Sequence, residues 1–118
     1  MKKARIILII LLLVACSKTN NIESCRTNFL SRSYAYVGSI DECVSIYKEI
    51  ETEKSQSLID PNSTVDGNSM NIHFEFIDSE IEDYFLNPDG TLLYYIKDVL
   101  YSIKMSKELF TQLKDNLE

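Results

Sequence analysis

The side chain best suited to moving a proton in this chain of 118 residues is His73, the only histidine and the one residue type whose ordinary pKa lies near neutrality. It stands in "MNIHFEF", an alternating stretch with Met70, Ile72, Phe74 and Phe76 on one side and Asn71, His73 and Glu75 on the other. The alternation turns His73 away from the apolar side, toward solvent or a partner. No serine or cysteine in a nucleophile motif accompanies it, so an enzyme is not expected. Carboxylates offer a second chemistry. Asp78, Glu80, Glu82 and Asp83 could present hard oxygens to calcium, but turn and strand periodicity sends them in different directions, and a charged edge that discourages strand pairing is the better reading. The oxygens of Asp60, Asn62, Thr64 and Asp66 have roughly the spacing of a calcium loop. Gly67 is displaced from the place of its glycine, however, and Asn71 occupies the place of its closing glutamate. The sequence therefore implies no metal and no cofactor. Tyr84, Tyr94, Tyr95 and Tyr101 supply amphipathic contact area suited either to a core or to a binding surface.

The amino terminus carries a different kind of chemistry. Lys2, Lys3 and Arg5 precede an unbroken apolar run from Ile6 to Val14, and Ala15 stands before Cys16, the three-part layout of a secretory signal peptide. Crossing roughly 30 Å of hydrocarbon takes about 20 apolar residues, so this run is expected to be removed and not to span. Leu13, Val14, Ala15 and Cys16 resemble the lipobox of bacterial lipoproteins. The resemblance implies cleavage between Ala15 and Cys16, a diacylglyceryl thioether on Cys16 and an acylated new amino terminus. At about 0.8 kcal/mol per buried methylene, two or three chains hold a protein on a membrane where one does not. In the sorting pattern of Gram-negative lipoproteins, aspartate after the cysteine favours inner-membrane retention. The resemblance, with Ser17 there, thus implies the outer membrane, a distinction that a Gram-positive host would make moot. The chain then divides into a signal peptide over residues 1–15, a polar lipidated tether over 16–23 and a single domain over 24–118. With Cys16 lipidated, Cys25 and Cys43 remain as an even pair in an exported chain, and a disulfide between them is expected.

Twelve basic and eighteen acidic residues give the chain a net charge of −6. The leader removes three basic residues and leaves 103 residues at −9. Between Ser55 and Ile96 there is no lysine or arginine, while Asp60, Asp66, Glu75, Asp78, Glu80, Glu82, Asp83 and Asp89 all fall there. Such a field repels nucleic acid and anionic headgroups and favours a basic protein partner.

These residues need elements to position them. Ser39 and Glu42 form a Ser-x-x-Glu capping box, and Ile40, Cys43, Val44, Tyr47 and Ile50 recur behind it at helical spacing, so a helix should run to about Lys54 with Cys43 inward. "YAYVG" before it is a short β-prone run, and residues 55–69 carry the Asn, Asp, Pro, Gly and Ser of a long loop. "NPDG" over Asn87 to Gly90 fits a type I turn that pairs roughly Ile81 to Leu86 with Thr91 to Ile96. After a tight turn at Lys97 and Asp98, Val99, Tyr101, Ile103 and Met105 alternate with polar or outward positions. Ser106 caps a last helix with the stripe Leu109, Phe110, Leu113 and Leu117. A single helix over residues 91–117 also fits the spacing, but the β-branched and aromatic content favours strands. The expected fold is α+β, an antiparallel meander of three or four strands with two helices packed on one face.

A second likeness lies in "YAYVGSIDECVSIYKEI", Tyr34 to Ile50, which loosely resembles the first strand and helix of a peptidoglycan-binding SPOR repeat; the second half of that pattern is absent. The expected function is a small outer-membrane lipoprotein whose periplasmic domain, without enzymatic activity, binds a basic protein as an accessory or assembly factor of the envelope. Its contacts are expected from Glu75, Asp78, Glu80, Glu82, Asp83, Tyr94 and Tyr95. An immunity or inhibitor lipoprotein neutralising a basic toxin or hydrolase is the alternative, and a peptidoglycan-binding module the third. No small-molecule substrate is implied.

Overall fold

The computed structural model describes residues 19–59 and 63–117. The leader, Cys16 and the first residues of the tether lie outside them, as do Asp60 and Asn62. In chain order the elements are β1 (Ile22–Phe29), β2 (Tyr36–Val37), α1 (Ile40–Glu53), a 3-10 turn (Lys54–Gln56), β3 (Leu58–Ile59), β4 (Met70–Phe76), β5 (Ile81–Leu86), β6 (Thr91–Ile96), β7 (Val99–Lys104) and α2 (Lys107–Leu117). The strands form one antiparallel sheet in the order β2-β1-β4-β5-β6-β7-β3.

Among the described residues the fold is α+β with two helices, but the sheet has seven strands where the sequence suggested three or four. Two of the extra strands, β2 and β3, have two residues each; β2 falls within the β-prone "YAYVG", while β3 lies in the stretch read as a loop. The third, β1, reads "IESCRTNF" and takes its β character from pairing with β4 along its length, not from its composition. Its register shifts between Ile22 and Ser24, so that both Ile22 and Cys25 are buried on either side of the irregularity. Ile22 and Glu23, assigned from the sequence to the tether, are thus part of the sheet.

The core lies between the helices and one sheet face. It joins Cys25 and Phe29 of β1, Met70, Ile72, Phe74 and Phe76 of β4, Tyr84 and Leu86 of β5, Leu92 and Tyr94 of β6 and Ile103 of β7 to the apolar sides of α1 and α2. Leu109, Phe110, Leu113 and Leu117 of α2 are all buried in it. In α1 the buried set is Cys43, Ile46, Tyr47 and Ile50. Ile40, expected on this stripe, is exposed, and Ile46 takes its place. The Cys25 and Cys43 sulfurs are 2.06 Å apart and fasten α1 to β1. Ser39 accepts a hydrogen bond from Glu42 N at 3.2 Å, whereas the Glu42 carboxylate receives the hydroxyls of Ser39 and Tyr36.

Turns set the registers. Gly90 N donates to Asn87 O at 3.0 Å and Asn87 N to Thr91 O at 2.8 Å, closing the type I turn between β5 and β6. Gly90 has φ +93°, and a Cβ there would meet Met105 O at 2.8 Å, so only glycine fits. Lys97 and Asp98 have φ of 49° and 68°, the left-handed pair of a tight hairpin. Their reversal, with β6 paired to β7 from Thr91↔Lys104 to Ile96↔Val99, rules out one helix over residues 91–117. Among the described residues no helix is long and apolar enough to cross a membrane.

Candidate functional site

Of the carboxylates singled out from the sequence, Glu82 and Asp83 lie on β5, Asp78 and Glu80 in the turn before it and Glu75 on β4 opposite Ile81. β5 is an interior strand and not the charged sheet edge the sequence suggested, and it has an unusual relation to its neighbour β6. Its ladder with β4 is continuous from Met70↔Leu86 to Glu75↔Ile81. Its ladder with β6 holds Phe85↔Leu93 and Leu86↔Leu92 and then stops. Antiparallel strands alternate the side on which main-chain groups bond. Phe76 N donates to Glu80 O, so in this register Glu82 and Tyr84 turn their main-chain groups to β4, and Ile81 and Asp83 turn theirs toward β6. By the same count from Asn87 N to Thr91 O, Tyr95 turns its main-chain groups toward β5. Past Phe85 the strands part, and a cavity of about 480 Å³ opens between them, lined by Glu80, Ile81, Asp83, Tyr95, Ile96 and Lys54 among others.

On the helix side this opening is roofed by aromatic rings and one cation. Tyr84 and Tyr94 lie 5.6 Å apart between ring centroids, and Tyr94 stacks on Tyr101 at 5.5 Å. Lys54, at the end of α1, places Nζ 5.0 Å from the Tyr84 ring and 5.3 Å from the Tyr94 ring, a cation–π arrangement. It also stands 3.6 Å from Glu82 Oε1. Tyr84 donates its hydroxyl to Glu82 Oε1 at 2.6 Å, and Tyr47 donates to Oε2 at 3.0 Å. Burial first, and then the Glu82 carboxylate beside them, push both phenol pKa values far above the ordinary range. Glu82 is therefore committed inside the fold, bound by two buried tyrosines and a lysine.

His73 lies on the opposite face, as alternation requires, but it is largely buried there, 8% exposed. Its Nδ1 is 2.7 Å from Asp83 Oδ1 and its Nε2 is 3.1 Å from Glu75 Oε1. The reason is its position on a central strand, with Asp83 directly opposite on β5, Arg26 opposite on β1 and Glu75 two residues along on the same face. Carboxylates only accept hydrogen bonds, so a neutral ring can donate to one of the two and only the imidazolium to both. Both nitrogens are engaged, and neither is left aimed at a nucleophile.

The seven residues expected at the partner surface thus separate. Glu82 turns to the helix side, and Tyr94, 6% exposed, is core. Tyr84 and Tyr101 likewise pack in or against the core. Glu75, Asp78, Glu80, Asp83 and Tyr95 remain accessible, Tyr95 at 57%. The cleft itself was not legible, because a sheet that loses its ladder midway leaves no mark in hydropathy. Exposed Ile81 in its lining is its one sequence trace, as an apolar residue on the outward face where alternation expects a polar one. Among the described residues no group of three or more His, Cys, Asp or Glu is placed to hold a metal ion. Compared with protein-family models, curated proteins and solved structures, the chain matches none.

Proposed function

We propose that this protein is a lipid-anchored component of a bacterial cell envelope whose domain binds a basic protein partner, without catalysing a reaction, as an accessory or assembly factor. The anchor reading rests on the leader and on Leu13 to Cys16. The partner reading rests chiefly on one observation: the accessible carboxylates Glu80 and Asp83 line the β5–β6 cleft together with exposed Ile81, Tyr95 and Ile96, and accessible Asp78 stands in the turn that leads into β5. Charge at such a rim steers association, and the apolar residues within it supply desolvated contact.

Two experiments test this. Cys16→Ser should abolish lipid labelling and leave uncleaved precursor; normal maturation of that variant refutes the anchor. For the partner, the protein should capture a basic envelope protein at low salt and release it as salt rises. Asp78→Asn with Glu80→Gln should slow that association and flatten its salt dependence, since exposed charges are screened within about 8 Å at physiological ionic strength. Unchanged capture by this variant refutes the acidic surface. Capture of a hydrolase or toxin, together with loss of its activity, would place the protein among inhibitors instead.

A further inference from the structure

We infer that the cleft between β5 and β6 is a strand-addition site: an extended segment of the basic partner pairs with the open edge of β5 along Ile81 to Asp83. The inference rests on the partner reading above and adds how the partner is held. Three observations carry it. The first is the interrupted ladder, which stops at Phe85↔Leu93 while the ladders on either side run their full length. It leaves the main-chain groups of Ile81 and Asp83 facing a cavity and not a strand. Main-chain pairing is a general source of affinity for an extended peptide at such an edge.

The second is the arrangement of side chains along the opening. Ile81, Asp83 and Tyr95 lie on the face away from the helices, and Tyr84, Tyr94 and Ile96 on the face toward them. A segment entering the cleft meets aromatic and aliphatic surface on the helix side, and Asp83 with nearby Glu80 on the other. Strand alternation in the ligand therefore selects apolar residues at one set of positions and lysine or arginine at the other. The third is charge. Among the described lining residues Glu80, Glu82 and Asp83 are acidic and Lys54 is basic. Lys54 is held on the helix side by Glu51 at 2.8 Å, by Glu82 and by the two tyrosine rings. The outer side of the cleft therefore presents Glu80, with Asp83 whose Oδ1 also meets His73 and Asn71, to the incoming strand. The cavity, about 480 Å³, lies within the roughly 300–1,000 Å³ of ordinary ligand clefts.

The test uses the isotope-labelled full chain in mild detergent and two synthetic octapeptides of alternating lysine and valine. One is unmodified; the other is N-methylated at alternate residues, which keeps its charge and removes the donors of one edge. The unmodified peptide should bind saturably and slow amide exchange at Ile81 and Asp83 at least tenfold, and the N-methylated one should bind at least tenfold more weakly. Ile81→Pro, which removes a donor that β4 does not use, should weaken the unmodified peptide to a similar degree. If that variant is destabilised, the N-methylated peptide decides the matter alone. Equal binding of both peptides, no binding of either, or unchanged exchange at Ile81 and Asp83 overturns strand addition. If the envelope partner still depends on Asp78 and Glu80 but is indifferent to Ile81→Pro, strand addition falls while the acidic-surface reading survives.

Discussion

Replacing Glu82 with leucine isolates what that carboxylate contributes to the fold. It accepts the hydroxyls of Tyr84 at 2.6 Å and Tyr47 at 3.0 Å, and both tyrosines are at most 2% exposed. Leucine offers no acceptor, so the Tyr84 hydroxyl loses its carboxylate, while Tyr47 keeps only Glu51 beside it. A buried polar group left unsatisfied costs about 1–3 kcal/mol. In a domain of this size, where each kcal/mol moves the melting midpoint by about 4–8 °C, Glu82→Leu should lower Tm by about 5 °C or more at pH 7. Adding Tyr47→Phe and Tyr84→Phe removes both hydroxyls with little change of shape, so the triple variant should recover much of the loss. Urea unfolding followed by circular dichroism would measure both. A single variant within about 0.5 kcal/mol of the parent, the ordinary range for surface substitutions, or a triple variant less stable than the single one, would refute the reasoning. The pair Tyr47 and Tyr84 also has a pH signature. Their folded pKa values lie above the unfolded value of 10.0, so above that pH the unfolded chain gives up protons that the folded one retains. The stability is complete below pH 10 and falls by about 2.7 kcal/mol per pH unit above it for the two groups together, and the double phenylalanine variant should lose that dependence.

Three further outcomes follow from the geometry. Reduction of the bond between Cys25 and Cys43, which spans a sequence separation of 18, should lower stability by roughly 3 kcal/mol in the chain-entropy model, read from denaturant midpoints with and without reductant. Gly90→Ala should destabilise by about 1–3 kcal/mol, because φ is +93° and Met105 O stands 2.8 Å from the new Cβ, whereas Gly67→Ala has nothing within 4 Å and should be close to neutral. The Asp89 pKa is lowered chiefly by the hydrogen bond from Thr91 N, so its contribution holds above the usual aspartate range and is lost as pH falls below it. Asp89→Asn should flatten the acid end of the stability profile, and an unchanged acid limb would show that the turn does not depend on that charge.

Local signals were legible wherever a residue's role depends on its near neighbours. "NPDG" specifies its own turn because asparagine, proline and glycine each supply a backbone geometry at a set position. Both strands flanking it have the bounds expected from the turn, although they pair only at Phe85↔Leu93 and Leu86↔Leu92 and not along their length. The helix beginning after Ser39, the four-residue stripe of α2 and the inward side of β4 are periodic over two or more turns or pairs, and such periods survive packing. Sequence likewise put His73 on the face away from Phe74 and left no obvious nucleophile beside it. It also concentrated negative charge in the middle of the chain.

Contacts between distant segments decided the rest. β1 takes its strand form from pairing with β4, and β3 from two pairs with β7; neither is encoded in a local period. Glu82 and Asp83 are adjacent carboxylates with the same composition signal, yet the pleat sends one inward to Tyr47 and Tyr84 and the other out to His73. Tyr94 and Tyr95 divide in the same way, one into the core and one to the surface. The cleft is the most tertiary feature of all. It depends on β5 following β4 while β6 follows β7, and on Lys54 arriving from α1 to cover the rings between them. A one-dimensional pattern can state which side of a strand a residue faces, but not where two strands stop being neighbours.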